Sequence, residues 1–370
     1  MKNAPDKRTC VIGDNHVNTL GVIRSLGELG YRPIVVVSDE GRQWVKKSRY
    51  IDKAYVIEKD PDALLRVLMN IAQEDQKRWV FPCGDFYVRL LDSNYDLLSR
   101  YYHLPNCSNK ENGMRDFMSK AKMQEIAVAA GFEDLKTKFF CDTGDRQRVD
   151  EFGEYYSDSY PLLIRADKTG TGALEFVIVK DEEELRKVLN TEGIGTVLIQ
   201  KYISVEEELG IQGVSFGSER NPEICGTIHK IRTSTVAHGS TTYAELTVDT
   251  DKALSEKIRR FLEAVNYSGI FDIEVMISKN KTYFVECNFR NGAYGYAFSR
   301  AGLNLPALWM GDDDCSTKRE KLTLMNEISD CRHIRAGNIT CHKWIKEFLT
   351  CSVYLTLNMR DIKPFIGRFL

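Results

Sequence analysis

Short apolar runs alternate with amphipathic segments through the first hundred residues of the chain. Three runs are apolar along most of their length: Thr9–Ile12, Ile34–Val37 and Trp79–Pro82. Segments with apolar residues at helical spacing lie between or after these runs: Leu20–Leu29, Pro61–Gln73 and Phe86–Ser99. Buried strands that alternate with helices are typical of a parallel sheet. We therefore predict an open α/β domain over residues 1–107.

The pattern changes beyond residue 107. A helix is predicted over Arg115–Ala130, and two more over Glu182–Leu189 and Leu254–Val265. Short apolar runs predict strands that succeed one another as in antiparallel sheets: Leu162–Arg165, Leu174–Val179, Val197–Gln200, Gln212–Phe216, Glu223–Ile231, Tyr243–Val248, Ile270–Ile277 and Thr282–Cys287. We predict an α+β domain over residues 108–310. Helical patterning from Arg335 to Leu349 predicts a helical extension over residues 311–370, in which Arg360–Pro364 ties the tail back to the core.

Composition narrows the class of protein. With 370 residues, 43% of them apolar and 28% charged, the chain is a globular protein long enough for two or three domains. The net charge of −2 gives no electrostatic footprint for nucleic acid. No run of about 20 apolar residues appears, so we expect neither secretion nor membrane insertion. The 10 cysteines stand singly, without a C-x-x-C pair, which favours reduced thiols in a cytoplasmic protein.

The predicted hairpin over residues 270–287 carries the strongest chemical signal. Glu286 and Asn288 are two residues apart, so both side chains point to one face of the strand, and Glu274 on the partner strand can reach the same face. Two carboxylates and an amide oxygen form a hard, oxygen-only site that suits Mg²⁺ shared with nucleotide phosphates. Mn²⁺ is an alternative ion. A solvent-facing sheet with an incidental salt bridge is the alternative structure.

The same hairpin resembles a known family. Gly269 is followed after four residues by Glu274, and twelve residues later by the sequence Glu286-Cys-Asn288-Phe-Arg290. This spacing resembles the metal-binding hairpin of the ATP-grasp superfamily, whose usual ending is Glu-x-Asn-Pro-Arg, with Phe289 here in place of the proline. The resemblance implies an ATP-grasp fold preceded by an N-terminal α/β domain. It also implies that Arg290 is catalytic and contacts the γ-phosphate and acyl-phosphate oxygens, which suits a planar guanidinium.

Further matches to the superfamily imply a nucleotide site. The resemblance divides the domain into a small nucleotide-clamping lobe at about residues 136–205 and a larger metal-binding lobe at about residues 206–310. The resemblance implies that Lys120 contacts the α-phosphate, that Arg165 contacts the α- and β-phosphates, and that Glu208 binds the ribose. It implies a mobile loop that contains catalytic Lys168, Gly170 and Gly172. The adenine edge would be read by the backbone of Gln200, Lys201, Tyr202 and Ile203. Three alternatives stay open: a solvated helix charge at Lys120, a plain hairpin turn at the Gly-rich loop, and a ribose contact from Glu206 or Glu207.

Polar residues near the ends of the first-domain strands are candidates for substrate binding. Asp14, Asn15 and Asp85 follow strands of an open α/β sheet, where ligands usually bind. The two aspartates suit a cationic group such as a substrate amine. Alternatively, Asp14 and Asn15 cap the helix that begins near Asn18. Asn291, next to Arg290, is a candidate for binding a substrate carboxylate.

The resemblance thus implies an ATP- and Mg²⁺-dependent ligase. The likeness is greatest to the D-aspartate ligase and carbamoyl-phosphate synthetase group, through Val11–Gly21, Phe81–Asp85 and Arg290–Tyr296. It implies that a small-molecule carboxylate is activated as an acyl-phosphate and joined to an amine, with release of ADP and phosphate. Enzymes of this kind are often dimers. A non-catalytic nucleotide-binding protein is one alternative. A nucleotide-dependent oxidoreductase is disfavoured because the first loop lacks G-x-G-x-x-G.

Overall fold

The computed structural model describes residues 7–72, 76–166, 176–235, 240–312 and 320–369. The chain divides into two compact units. The first comprises Met1–Arg115, Glu208–Glu274 and Cys287–Leu370, and the second comprises Asp116–Glu207 and Val275–Glu286. None of the described helices is both long and apolar enough to cross a membrane.

A five-stranded sheet forms the N-terminal part of the first unit. The strands are β1 (Arg8–Gly13), β2 (Ile34–Ser38), β3 (Lys53–Ile57), β4 (Arg78–Pro82) and β5 (Tyr102–His103), followed by a short strand β6 (Asn106–Cys107) outside this sheet. Their order is β3-β2-β1-β4-β5, and every neighbouring pair is parallel. The helices are α1 (Val17–Glu28), α2 (Pro61–Ile71), α3 (Asp85–Ser93) and α4 (Tyr95–Leu98), with a 3-10 turn at Val45–Lys47. The predicted open parallel sheet is confirmed.

Alternation along the central strands explains why both faces of this sheet are covered. Val11, Val35 and Phe81 belong to the core that includes α1, whereas Ile12 and Val36 belong to the core that includes α2 and α3. Since neighbouring residues of a strand point to opposite faces, a continuous apolar run supplies two cores at once. The carboxyl ends of β1 and β4 are therefore fixed from both sides.

Two elements of this region differ from prediction. Strand β3 was not predicted, although Ala54–Ile57 is a short apolar run; as the edge strand it has only exposed or half-buried residues. The predicted helix over Phe86–Ser99 is two helices, α3 and α4, separated at Asn94. The Asn94 side chain donates to the Leu90 carbonyl at 2.9 Å, a local bond that competes with helix continuation.

The second unit contains a four-stranded antiparallel sheet with the order β7-β10-β8-β9. Its strands are β7 (Lys138–Cys141), β8 (Leu162–Ala166), β9 (Phe176–Val179) and β10 (Thr196–Lys201). Its helices are α5 (Lys120–Ala129), α6 (Asp142–Asp145), α7 (Val149–Tyr155) and α8 (Glu182–Leu189), with 3-10 turns at Asp116–Met118 and Arg146–Arg148. Phe140, Phe152, Ile164 and Leu185 lie in the core that packs α7 and α8 on one face of the sheet.

A larger sheet has the order β15-β14-β11-β12-β13-β16-β17, and β6 also pairs with β14. Its further strands are β11 (Glu207–Phe216), β12 (Glu223–Thr233), β13 (Thr241–Thr247), β14 (Tyr267–Ser278), β15 (Lys281–Asn288), β16 (Lys321–Met325) and β17 (Val353–Tyr354). The pairs β11–β12, β12–β13 and β13–β16 are antiparallel, and β16–β17 is parallel. The remaining helices are α9 (Lys252–Val265), α10 (Gly295–Arg300), α11 (Leu305–Trp309), α12 (Glu327–Asp330), α13 (Arg332–Arg335), α14 (Cys341–Thr350) and α15 (Lys363–Gly367).

The sequence predicts a helical extension over residues 311–370. The structure differs, because this segment contains strands as well as helices. Strands β16 and β17 both join the larger sheet. Strand β17 has two residues, too few to show a period of two, whereas the alternation of Leu322, Thr323 and Leu324 in β16 was an available signal. The domain boundaries inferred from the sequence stay a prediction.

A buried ion pair ties the tail to the N-terminal sheet. Arg24 in α1 and Asp361 are both 0% exposed, with 3.1 Å between Arg24 Nε and Asp361 Oδ2. Arg24 also donates to the carbonyls of Leu355 and Thr356. The charge is thus satisfied on several sides, as a buried guanidinium requires. The predicted attachment of Arg360–Pro364 to the core is confirmed.

We expect Asp361→Ala to destabilise the protein strongly, because it leaves the Arg24 charge buried without its carboxylate. Removing one partner of a buried pair costs about 3–5 kcal/mol. The matched control is Glu256→Ala, which breaks exposed pairs on α9 with Arg259 and Arg260. Differential scanning calorimetry should show a clear drop in midpoint temperature for Asp361→Ala and little change for the control. Equal shifts in the two variants would contradict this account.

Candidate active site

The residues predicted to bind a metal lie on the non-core face of the hairpin formed by β14 and β15. In β14, half-buried Asp272 and Glu274 alternate with buried residues, and in β15, half-buried Glu286 and Asn288 flank buried Cys287. The period of two of a strand produces this separation. Glu274 and Asn288 belong to the first unit, and Glu286 belongs to the second.

Glu274 has a lysine partner that the sequence did not indicate. In β12, the Nζ atom of Lys230 lies 2.7 Å from Glu274 Oε2 and 3.5 Å from Glu208 Oε2. The Lys230 side chain is only 15% exposed. Burial by itself lowers the pKa of Lys230, but the charges of Glu274, Glu208 and Asp272 outweigh it and raise the pKa. Lys230 is therefore a permanent cation on this face of the sheet.

The second unit repeats this arrangement around Glu286. Lys120, the first residue of α5, places its Nζ atom 3.8 Å from Glu286 Oε2. Helix α5 is held against β15 by Gln124, whose Nε2 atom donates to the Phe284 carbonyl at 2.7 Å. Lys120 is thus half-buried beside a predicted metal ligand, which contradicts the alternative of a freely solvated helix charge.

Arg290 lies just beyond β15 and donates to three acceptors of the first unit. Its Nε atom donates to Asp85 Oδ1 at 2.7 Å, its Nη2 atom to Asn288 Oδ1 at 3.0 Å, and its Nη1 atom to the Asn291 carbonyl at 3.3 Å. The side chain of Arg290 is 19% exposed and that of Asp85 is 48% exposed. The predicted catalytic arginine and a predicted substrate residue are therefore direct partners.

Asp14 lies at the carboxyl end of β1 in a network of donors. It accepts from Tyr87 Oη at 2.6 Å and from Lys59 Nζ at 3.0 Å. Burial tends to raise the pKa of Asp14, but the hydrogen bonds from Tyr87 and Lys59 outweigh it and lower the pKa. Asn15 instead donates to the backbone carbonyls of Ser38 and Glu40.

The capping alternative for Asp14 and Asn15 is wrong. The N-cap of α1 is His16, whose Nδ1 atom accepts from the Asn18 amide at 3.3 Å. Asn291 is buried, and its Nδ2 atom donates to Asn18 Oδ1 at 2.6 Å, while Asn18 returns a bond to the Asn291 carbonyl at 2.7 Å. This reciprocal pair joins α1 to the segment after β15. A substrate contact by Asn291 stays a prediction.

The predicted nucleotide residues of the second unit occupy β8 and the end of β10. Leu162 and Ile164 are buried on one face of β8, and Arg165 is half-buried on the opposite face. Gln200 is buried and its Nε2 atom donates to Thr137 Oγ1 at 2.8 Å. This Gln200 contact fixes the end of β10 against the segment that precedes β7.

The predicted hinge over residues 200–203 uses part of its backbone internally. The N–H of Lys201 donates to the Leu135 carbonyl at 2.8 Å and that of Tyr202 to the Pro161 carbonyl at 2.9 Å. Adenine recognition would therefore use other backbone groups of this segment, which include Ile203. Lys168, with Gly170 and Gly172, lies outside the described residues.

Three residues next to the predicted site were missed from the sequence. Lys59 follows the carboxyl end of β3, and it was overlooked because β3 itself was not predicted. Asp272 shares the face of Glu274 two residues away, a signal that was available. Lys230 stands in a predicted strand, but nothing local to the sequence indicates its partners on β11 and β14.

The predicted donor set fits Mg²⁺ by its chemistry. Glu274 and Glu286 provide carboxylate oxygens and Asn288 an amide oxygen, all from half-buried strand positions. Among the described residues, no group of three or more His, Cys, Asp or Glu side chains could by itself hold a metal ion. A set of two carboxylates and one amide is what an ion also bound by substrate phosphates requires, because Mg²⁺ rarely relies on an all-protein cage.

Part of the chain matches a known protein family. Residues 131–297 match the family model of the ATP-grasp domain. The chain contains an ATP-grasp domain. It is 25% identical over 209 residues to the carbamoyl phosphate synthase large chain of Saccharolobus solfataricus, an alignment that covers 53% of this chain and 20% of the relative. The chain thus spans about a fifth of the length of this curated relative.

Solved structures share the ATP-grasp fold at low sequence identity. N5-carboxyaminoimidazole synthetase from Staphylococcus aureus, complexed with ADP, has a TM-score of 0.63 at 14% identity, covering 89% of this chain and 88% of that one. L-amino acid ligase from Bacillus licheniformis has a TM-score of 0.60 at 15% identity, covering 86% of this chain and 79% of that one. These similarities extend beyond the ATP-grasp domain into the N-terminal sheet and the C-terminal extension.

We expect the stability contributed by Asp14 to depend on pH. Its pKa is lowered below the ordinary value of 3.8, so ionised Asp14 stabilises the fold above that value and the effect is lost as the pH falls through the lowered pKa. Asp14→Asn should lower the midpoint temperature at pH 7, and the difference from the unmodified protein should shrink only below about pH 3.8. Thermal unfolding monitored by circular dichroism across pH 3–7 measures both.

The control for this experiment is Asp62→Asn, at an exposed position in the first turn of α2. It should change the midpoint temperature little at any pH. A difference between Asp14→Asn and the unmodified protein that stays constant down to pH 3 would contradict a role for the ionised Asp14 carboxylate.

Proposed function

We propose that this protein is an ATP- and Mg²⁺-dependent ligase that activates a substrate carboxylate as an acyl-phosphate and joins it to an amine. The observation that carries the proposal is the β14–β15 hairpin of an ATP-grasp domain, on which Glu274, Glu286 and Asn288 lie with Arg290 directly beyond. The similarity to a carbamoyl phosphate synthase and to an L-amino acid ligase supports the same reaction class.

Cationic side chains are proposed to bind the nucleotide. Lys120, Arg165 and Lys168 would neutralise the phosphates of ATP, and Glu208 would bind the ribose. The segment Gln200, Lys201, Tyr202 and Ile203 would read adenine through its backbone. Glu274, Glu286 and Asn288 would hold Mg²⁺, which when bound supplies positive charge to the phosphates. The ion pairs of Lys120 and Lys230 with the two glutamates support this, since each half-buried carboxylate has a cation beside it.

Two displacements follow in the proposed reaction. A carboxylate oxygen of the first substrate attacks the γ-phosphorus of ATP, the bond to the β–γ bridging oxygen breaks, and ADP leaves. The amine nitrogen then attacks the acyl carbon, the carbon–oxygen bond to the phosphate breaks, and the amine loses a proton. Arg290 would stabilise the charge that develops on the transferred phosphoryl oxygens, which is the main catalytic resource in phosphoryl transfer.

The substrate side of the proposal includes Asp14, Asn15 and Asn291. Asp14 remains a candidate for an amine because its lowered pKa keeps it ionised. The same proposal includes small-molecule substrates and a cytoplasmic location. It also includes a homodimer, which light scattering would test. None of the nine described cysteines is in a disulfide bond, which supports a reducing compartment.

The test is product formation by the purified full chain with ATP, Mg²⁺ and pooled carboxylates and amino acids. We expect phosphate release only when a carboxylate and an amine are both present. Hydroxylamine added in place of the amine should trap the acyl-phosphate as a hydroxamate. ATP binding without turnover for any pair would favour the non-catalytic alternative, and turnover with a carboxylate but no trapped hydroxamate would contradict the acyl-phosphate.

We expect Glu286→Gln to lower turnover by about 10²-fold or more at saturating ATP, because it replaces a charged oxygen ligand with a neutral one. Steady-state phosphate release as a function of Mg²⁺ concentration measures the effect. The control is Glu125→Gln on the exposed side of α5, where the carboxylate pairs only with Lys122 in the described contacts. Near-normal turnover of Glu286→Gln would exclude it as a metal ligand.

Arg165→Ala should weaken binding of a non-hydrolysable ATP analogue about tenfold or more, because a charge-assisted phosphate contact contributes about 1.5–3 kcal/mol. Lys201→Ala should change affinity much less, since its proposed contact is made by the backbone. Isothermal titration calorimetry compares the two. Equal losses would show that residues 200–203 are not the hinge.

A further inference from the structure

Arg290 is held by residues from two distant parts of the first unit. Its Nε edge donates to Asp85, which begins α3, at 2.7 Å. Its Nη2 and Nη1 atoms donate to Asn288 Oδ1 and to the Asn291 carbonyl. Nε and the two Nη atoms are different corners of a planar group, so these acceptors fix both the position of the guanidinium and the orientation of its plane.

The carboxylate of Asp85 is itself on a rigid element. Helix α3 buries Tyr87, Val88 and Leu91 against the parallel sheet. Tyr87 Oη donates to Asp14 at the end of β1, which ties the first turn of α3 to the neighbouring strand. Asp85 therefore projects from a turn that is anchored on both sides.

The contact between Asp85 and Arg290 contributes orientation of the arginine rather than stability of the fold. Asp85 is about half exposed, and exposed ion pairs contribute little to stability because solvent screens them. A short hydrogen bond to the Nε edge restricts the rotation of the long side chain, however. The contact with Asp85 uses the Nε edge, so it orients the plane of the guanidinium from the side opposite to the Nη1 atom.

We propose that Asp85 is a positioning residue for Arg290, and that its effect on the reaction is exerted through the arginine rather than through contact with the amine. This inference rests on the proposed function for its kinetic consequences. It revises the expectation that Asp85 receives a cationic substrate group, because the cation that Asp85 binds in the structure is the guanidinium of Arg290. The acid thus couples the N-terminal α/β sheet to the end of the metal-binding hairpin.

The proposal makes a specific kinetic prediction. Asp85→Asn should lower kcat about 10- to 100-fold, the usual cost of misplacing a catalytic group, and leave the KM for the amine within about twofold. Asp85→Glu, which keeps the charge on a longer arm, should recover part of kcat. In an Arg290→Ala background, Asp85→Asn should cause less than about a threefold further loss, because residues that act as one unit are not additive. The matched control is Asp96→Asn at an exposed position in α4.

A readout independent of turnover keeps the two proposals separable. The Nε–H resonance of Arg290, assigned by its loss in Arg290→Ala, should shift on Asp85→Asn and stay in place in Asp96→Asn. The ligase proposal fails if no pair of carboxylate and amine is turned over. The positioning role still stands in that case if two results are obtained: the resonance shifts, and Asp85→Asn weakens the binding of a non-hydrolysable ATP analogue only when Arg290 is present. A raised KM for the amine with unchanged kcat, additive losses in the double variant, or an unchanged Nε–H resonance would each overturn the positioning role.

Discussion

Pairing of half-buried carboxylates with cations is the interaction on which the candidate site depends. Glu274 lies beside Lys230, Glu286 beside Lys120, Asp85 beside Arg290 and Asp14 beside Lys59. Each of these acids lies on a strand face, at a strand end or at a helix start, and would otherwise lose hydration without compensation. The paired arrangement allows oxygen ligands to be held on rigid strands, and it supplies positive charges suited to phosphate oxygens.

The hairpin of β14 and β15 provides the rigid frame for this charge pattern. One face of each strand is buried among apolar residues, so the opposite face is constrained in position as well as in direction. Gln124 holds α5 to β15 in the second unit, and Arg290 connects β15 to α3 in the first. Each of these contacts lies within one unit, and neither involves a ligand.

Phe289 illustrates how a departure from the family pattern is compensated. The superfamily's usual proline before the arginine would restrict the backbone by its ring. Phe289 is instead 3% exposed and packs against Tyr267, with ring centroids 4.9 Å apart. Packing therefore anchors the backbone at this point, and Asp85 restrains the arginine side chain that follows. The constraint that the ring would have imposed on the backbone is supplied here by tertiary contacts.

The sequence alone determined the elements whose signal is local. Continuous apolar runs identified β1, β2 and β4, and the two-residue spacing placed Glu286 and Asn288 on one face, because strand periodicity is a property of neighbouring residues. Only the tertiary structure decided the partners. Asp85 and Arg290 are 205 residues apart, and Lys230 and Glu274 are 44 apart. The edge strand β3 and the short β16 were also not predicted, although Ala54–Ile57 is an apolar run and Leu322 and Leu324 alternate with Thr323. Pairing between distant residues depends on how the chain returns to itself, and no local pattern of hydrophobic and polar positions encodes that.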